Sequence, residues 1–338
     1  MTISSSLPPL YAAWMDDLLR SPIPPESNAT CASCAMVTDE PGEVSYNVNT
    51  KCCTFLPDIW NFLAGAVLLD EHPDAARGRA TIEARIGRGV GVTPLGLRRT
   101  QAYRLLYANS PASFGRSRTL LCPHYIDEAG GLCGVWRHRE STCTTWFCKF
   151  VRGAVGREFW TQLHQLLRAA EESVSAWCLM ELGVEHAVMT RLFRPFASER
   201  PANITDRDLD GIPDSADLDA LWGSWRGRER ELYVECARLV APLSWTDVSR
   251  IGGAQLAVYA RLVQVAHARL LDDAAPEHPV TAMVQITPRS GSLARLATYS
   301  GSDTLEVPSV VAAMLPSFDG RPLADAIAGI RAEHGVVV

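Results

Sequence analysis

Residues 133–148 read CGVWRHRESTCTTWFC, a stretch in which neither a helical nor a strand period persists. What recurs instead is a ligand interval: Cys133-x4-His138-x4-Cys143-x4-Cys148. Upstream lies Cys122, and before it a first group made of Cys31-x2-Cys34 and the adjacent pair Cys52-Cys53. Eight of the chain's ten cysteines thus fall between Cys31 and Cys148. Thiolates gathered in this way hold zinc or an iron–sulfur cluster, or pair as disulfides.

Compartment and charge narrow the choice. The chain has 338 residues, 47% of them hydrophobic, enough for two or three compact units with a core. The net charge of −6 is scattered in both signs, with no basic block to track a phosphate backbone, so nucleic acid is not expected as a partner. The first twenty residues lack a basic segment followed by a long apolar one, and the apolar run around Trp60–Leu69 is too short to span a bilayer. A soluble cytoplasmic protein without a membrane partner is expected. Thiols there stay reduced, which favours metal over disulfides.

The pattern predicts a mainly α fold with small β elements (α+β), in three parts. A cysteine-cluster metal-binding region with irregular loops is expected over 1–155, a helical region over 156–275, and a small α/β module over 276–338. Helices are predicted at 9–20, 56–69, 73–86 and 97–108. The clearest runs over 156–182, where Phe159, Leu163, Leu166, Ala170, Val174 and Trp177 repeat at helical spacing. Others are predicted over 216–241 and 244–272. Residues 119–136 read as two short strands about Gly130-Gly131, with Cys122 and Cys133 on facing arms. A hairpin is expected around 301–303, followed by two helices joined at Asp319-Gly320.

Adjacent cysteines point apart in extended chain, so Cys52 and Cys53 serve one centre only if the backbone turns there. His138 and His124 are alternative ligands, although a hydrogen-bonded histidine is the commoner reading of either. Cys178 and Cys236, each alone on a predicted helix, read as core. Glu171-Glu172 and Arg98-Arg99 read as solvated faces, and Gly87-x-Gly89-x-Gly91 as a simple turn. The hydrolase, zinc-protease, Walker and radical S-adenosylmethionine signatures are missing.

The elements Cys31-x2-Cys34…Cys52-Cys53 and Cys133…Cys143…Cys148 resemble the YkgJ-type cysteine-cluster proteins, a zinc- or iron-chelating family whose wider group includes the flagellin lysine-N-methylase. Cys31, Cys34, Cys52 and Cys53 match the first family element; Cys133, Trp136, Arg139, Cys143 and Phe147 match the second. The gap between Cys34 and Cys52 is longer than in compact members, and Glu140 stands where a proline is usual. The resemblance covers residues 30–150. It implies a metal or iron–sulfur centre; taken with the clustering and the reducing compartment, the expectation is an iron–sulfur cluster or zinc held by Cys31, Cys34, Cys52, Cys53, Cys122, Cys133, Cys143 and Cys148, with iron–sulfur slightly favoured. It implies a peptide- or protein-modifying, methylase-like activity more weakly. From Ala294 onward the chain is similar to PqqD-like winged-helix modules, which implies a protein or peptide partner.

One further motif is sharp. Asp206-x-Asp208-x-Asp210-Gly211-Ile212-Pro213-Asp214-x2-Asp217 places carboxylates at calcium-loop positions 1, 3, 5, 9 and 12, with the Ile212 carbonyl at 7. Aspartate at the last position reaches less far than glutamate, so weak calcium binding is expected, in a structural role.

Overall fold

The computed structural model describes residues 7–19, 21–24, 31, 34, 37, 46–146, 153–193, 215–272, 277–281, 284–297 and 304–335. Cys148, Phe147 and the loop residues Asp206, Asp208, Asp210, Ile212 and Asp214 lie outside them.

The chain is mostly helical, with small antiparallel sheets. Helix α1 (Pro9–Leu18) starts on a proline and buries Tyr11, Trp14, Met15 and Leu18, one face at i, i+3, i+4, i+7 spacing. Next come strand β1 (Ile59–Trp60) and helix α2 (Asn61–Leu69). The helix predicted from residue 56 begins later because Ile59 and Trp60 pair with Leu97 and Gly96. Helix α3 (Ala76–Arg88) follows and ends on Gly89 in the left-handed region, at φ 67°. Strands β2 (Val92–Thr93) and β3 (Gly96–Leu97) complete a β1-β3-β2 sheet, which delays helix α4 (Gln101–Asn109) past its predicted start at Leu97. The predicted hairpin is strands β4 (Tyr125–Ile126) and β5 (Leu132–Cys133), turning through Gly130 and Gly131, both at positive φ. Cys133 sits in that ladder opposite Tyr125, whereas Cys122 precedes it.

Helix α5 (Ser141–Thr144) is a single turn, and α6 (Gly153–Glu181) is the long central helix. After α7 (His186–Leu192), the helix expected over 216–241 divides into α8 (Ser215–Trp222) and α9 (Glu229–Val240), since Gly223 and Gly227 adopt positive φ between them. Helix α10 (Trp245–Leu271) opens on a Ser244/Asp247 capping box and is broken at Gly253, whose φ of 60° and ψ of −143° are non-helical.

One core joins these elements. Helix α10 packs along α6, and α2 packs along α9. Their shared interior holds Phe62, Val67, Phe159, Trp160, Leu163, Leu166, Trp222, Tyr233 and Val263. Helix α1 closes it from outside: Trp14 Nε1 donates to Leu243 O at 3.1 Å, and Gln264 Nε2 to Leu18 O at 3.3 Å. Cys178 and Cys236 are core, as expected, but they are not alone. Their thiols lie side by side across the α6–α9 contact, with Cys178 Sγ 3.8 Å from Cys236 O.

None of the described residues of 277–335 belongs to that core. Here β6 (Gln285–Pro288), β7 (Leu293–Ala297) and β8 (Thr304–Pro308) form an antiparallel meander, backed by α11 (Ser309–Met314) and α12 (Leu323–His334). Ala294, Ala312, Ala326 and Ile330 are buried there. The expected turn at 301–303 lies outside the described residues.

Helices α2 and α9 meet backbone to backbone at Gly65, where an added Cβ would stand 1.8 Å from Tyr233 O. Gly87 in α3 has nothing within 4 Å of such an atom. Gly65→Ala is therefore expected to destabilise the fold by about 1–3 kcal/mol or more through overpacking. Gly87→Ala should instead stabilise it by up to about 1 kcal/mol through helix propensity. Chemical denaturation of both variants checks the pair.

Candidate metal centre

Asn47, Thr50 and Lys51 set the site's local geometry. The Thr50 and Lys51 amides both donate to Asn47 O, at 3.0 and 2.8 Å, and the next turns close through Cys53 N to Thr50 O and Phe55 N to Cys52 O. Lys51 itself is left-handed at φ 49°. This winding is what adjacent cysteines need in order to converge, and the Cys52 and Cys53 thiols are hydrogen-bonded to each other.

The two cysteine groups of the sequence form one neighbourhood. The Cys122 amide donates to Cys53 O at 2.7 Å, stitching the second group to the first. Beyond the pull of the Cys52 thiol bonded to it, Cys53 is pushed up by burial and by Cys133, Cys122 and Cys31. Burial, then Cys133, Cys52 and Cys34, push Cys31 up to about 12. Burial raises Cys143 as well, with help from Glu140, Cys133, Cys52 and Cys122. Seven thiols, those of Cys31, Cys34, Cys52, Cys53, Cys122, Cys133 and Cys143, thus feel one another electrostatically, and none is in a disulfide. Among the described residues, no group of three or more His, Cys, Asp or Glu side chains is already arranged to hold a metal ion.

Positive charge surrounds these sulfurs. Lys51 is buried, and its ammonium donates to the carbonyls of Cys31, Gly130 and Gly131, the last at 2.8 Å. Arg139 is buried with its guanidinium 3.4 Å from the centre of the Trp136 ring, and it draws Cys31 and Cys133 down. Arg85 does the same to Cys122, which burial otherwise pushes up to about 12. Two sulfurs also accept backbone amides: Cys122 from His124, and Cys133 from Val135. Amide and cation donors of this kind favour thiolate over thiol.

Cys143 is positioned by carboxylates. Glu140 caps α5, accepting the amides of Thr142 at 2.7 Å and Cys143 at 2.8 Å. Where the resembling family has proline, a carboxylate thus starts the turn that bears Cys143. Glu171 is not on a solvated face: it is fully buried, and accepts from Tyr11 Oη, Trp60 Nε1 (3.1 Å), Ser141 N (2.7 Å) and Ser141 Oγ (2.7 Å). Burial and the neighbouring Glu140 push its carboxyl up to about 8, against the Tyr11 and Ser141 donors. Nor are Arg98 and Arg99 a solvated face. Both pair with Asp58, at 3.6 and 3.1 Å, and Arg98 lies over Trp60.

His138 Nε2 is engaged by Asp70 at 2.8 Å. His124 is buried, with Nδ1 2.8 Å from Thr81 Oγ1. Phe55, Tyr107, Phe114 and Trp146 form a ring cluster, with Phe55 and Trp146 stacked at 6.0 Å. A cavity of about 400 Å³ reaches Cys31 and Cys133 past Ile126, Leu132, Trp136 and Arg77. Of the calcium-loop positions, only Asp217 is described; it accepts from Arg191 Nη2 at 2.7 Å.

Lys51, Arg85, Glu140 and Glu171 join the cysteine neighbourhood although no sequence motif marks them. The signal for Lys51 was its place beside the cysteine pair; for Glu140 it was the three-residue step to Cys143. Comparison with protein-family models, curated proteins and solved structures finds no match for this chain.

Two predictions follow from the charges. Lys51→Met leaves three carbonyls short of a donor and is expected to cost about 3 kcal/mol or more, read as a lower denaturation midpoint. Glu171 has a folded-state pKa above its ordinary 4.5, so its contribution to stability is full below that value and is lost as pH rises through about 8. Glu171→Gln should flatten the pH dependence of the denaturation midpoint across that window; an unchanged slope would contradict the assignment.

Proposed function

We propose that this chain is a cytoplasmic cysteine-cluster metalloprotein whose thiolates hold an iron–sulfur cluster or zinc. One observation carries the reading. Seven thiols drawn from separate stretches of chain share one neighbourhood ringed by buried Lys51, Arg85 and Arg139, with none in a disulfide. Buried cations next to protonated thiols would be a net cost; next to metal-bound thiolates they offset charge. All-thiolate donor sets suit both zinc and iron–sulfur centres. The resemblance to the YkgJ-type proteins points the same way and tips the preference toward iron–sulfur.

A second reading has its own support. The cavity beside Cys31 and Cys133 would admit a small molecule or side chain to the centre, as a peptide- or protein-modifying enzyme requires. The 277–335 module is a winged-helix-like candidate for holding such a partner. Its strand β6 is exposed throughout, and Leu305, Val310 and Val311 are also exposed. Calcium at Asp206–Asp217 would be a separate, structural site.

Among the described residues, no helix is long and apolar enough to cross a membrane. Anaerobic purification with metal and labile-sulfide analysis tests the main reading. Iron with sulfide and a broad visible band is expected; zinc alone would replace the iron–sulfur preference, and a metal-free folded protein would sink both. Cys143→Ser should weaken metal binding more than about tenfold, since losing even an outer-shell partner costs that much.

A further inference from the structure

The ring of His124 presents a lone pair with no partner among the described residues. Thr81 Oγ1 donates its hydroxyl proton to Gly78 O at 2.8 Å, so toward His124 it can only accept. Nδ1, 2.8 Å away, must therefore carry the ring's proton, which fixes the tautomer from the hydrogen-bond network. In the neutral ring Nε2 is the acceptor; it is buried, the residue being 1% exposed, and has no hydrogen-bond partner among the described residues.

The backbone of the same residue is tied to the cysteines. Its amide donates to the Cys122 sulfur, and its carbonyl accepts the amide of Gly134, next to Cys133, at 2.8 Å. Arg85 acts electrostatically on both Cys122 and His124, and its buried Nη1 also has no hydrogen-bond partner. The other histidine of the cysteine stretch is committed elsewhere, since His138 Nε2 faces Asp70 at 2.8 Å. An imidazole whose one nitrogen donates to a fixed acceptor while the other stays bare is the usual arrangement of a metal-ligating histidine.

We infer that His124 Nε2 is a nitrogen ligand of the centre that Cys122 helps to hold, oriented by the Thr81 and Gly78 hydrogen bonds. The inference rests on the metalloprotein reading and goes beyond it, because it makes the donor set mixed sulfur and nitrogen. In zinc chemistry this is the cysteine–histidine type of site; in iron–sulfur chemistry, imidazole ligation raises the reduction potential. Arg85 would offset thiolate charge beside it.

The test uses the full-length protein loaded with its own metal or, if that is spectroscopically silent, with cobalt(II). Pulsed EPR is recorded with natural-abundance and with nitrogen-15 histidine, which requires no substitution. A directly bound imidazole nitrogen is expected, lost in His124→Ala and kept in His138→Ala. Thr81→Val, which removes the orienting acceptor, should weaken metal binding about 10–100-fold with the nitrogen signal retained or diminished. Bound metal with no histidine coupling, or a coupling that survives His124→Ala, would overturn the inference and leave Nε2 to a buried water. If the wild-type protein takes up no metal at all, the underlying metalloprotein reading fails instead. Should His124→Ala not fold, the isotope comparison together with Thr81→Val still decides.

Discussion

The Lys51 ammonium ties together three pieces of chain that have no sheet or helix in common. It bonds the carbonyl of Cys31, in the first cysteine segment, and those of Gly130 and Gly131, in the turn that delivers Cys133. A lysine is almost never buried without a compensating partner. Here three carbonyl dipoles supply part of that compensation, and the neighbouring sulfurs supply the rest if they carry charge. The left-handed backbone at Lys51 is what aims the side chain inward while Cys52 and Cys53 turn toward the same point. Loop conformation, buried charge and the meeting of the cysteine segments therefore depend on one residue.

From this point outward, order is passed through polar contacts into the helical core. Glu140 starts the turn bearing Cys143, Ser141 hands that turn to Glu171 on α6, and Glu171 reaches Tyr11 on α1 and Trp60 before α2. The irregular region is held by the helices through buried hydrogen bonds as well as by apolar contact. This explains how residues 118–146, with so little secondary structure, keep a defined arrangement.

The helices were readable where one face repeats. Tyr11, Trp14, Met15 and Leu18, and the Phe159–Val174 series, announce themselves because burial on a single face leaves a period in the sequence. Helix starts at residues 56 and 97 were read too early, because two-residue strand pairings there depend on partners some forty residues away. The division of 216–241 and the break at Gly253 rest on backbone angles that glycine permits without requiring. The cysteines were legible as two groups, but their merger into one neighbourhood was not. The stitch from the Cys122 amide to Cys53 O is a backbone contact that no spacing encodes. Glu171 and Arg98 misled for a related reason: a charged residue on a helix reads as solvated until its partner, here Ser141 or Asp58, arrives from elsewhere in the chain.

The docking of α1 has a consequence for the order of events as the chain is made. Trp14 needs Leu243, Leu18 needs Gln264, and His267 accompanies Pro22 at 3.2 Å, so the first helix has no seat until residues near 267 have left the ribosome. The thiols between Cys31 and Cys143 are all synthesised well before that moment. Until then the face of α1 that carries Tyr11, Trp14, Met15 and Leu18 lacks these partners. The seat of the N-terminal helix is therefore completed only late in synthesis, by contacts that span more than two thirds of the chain.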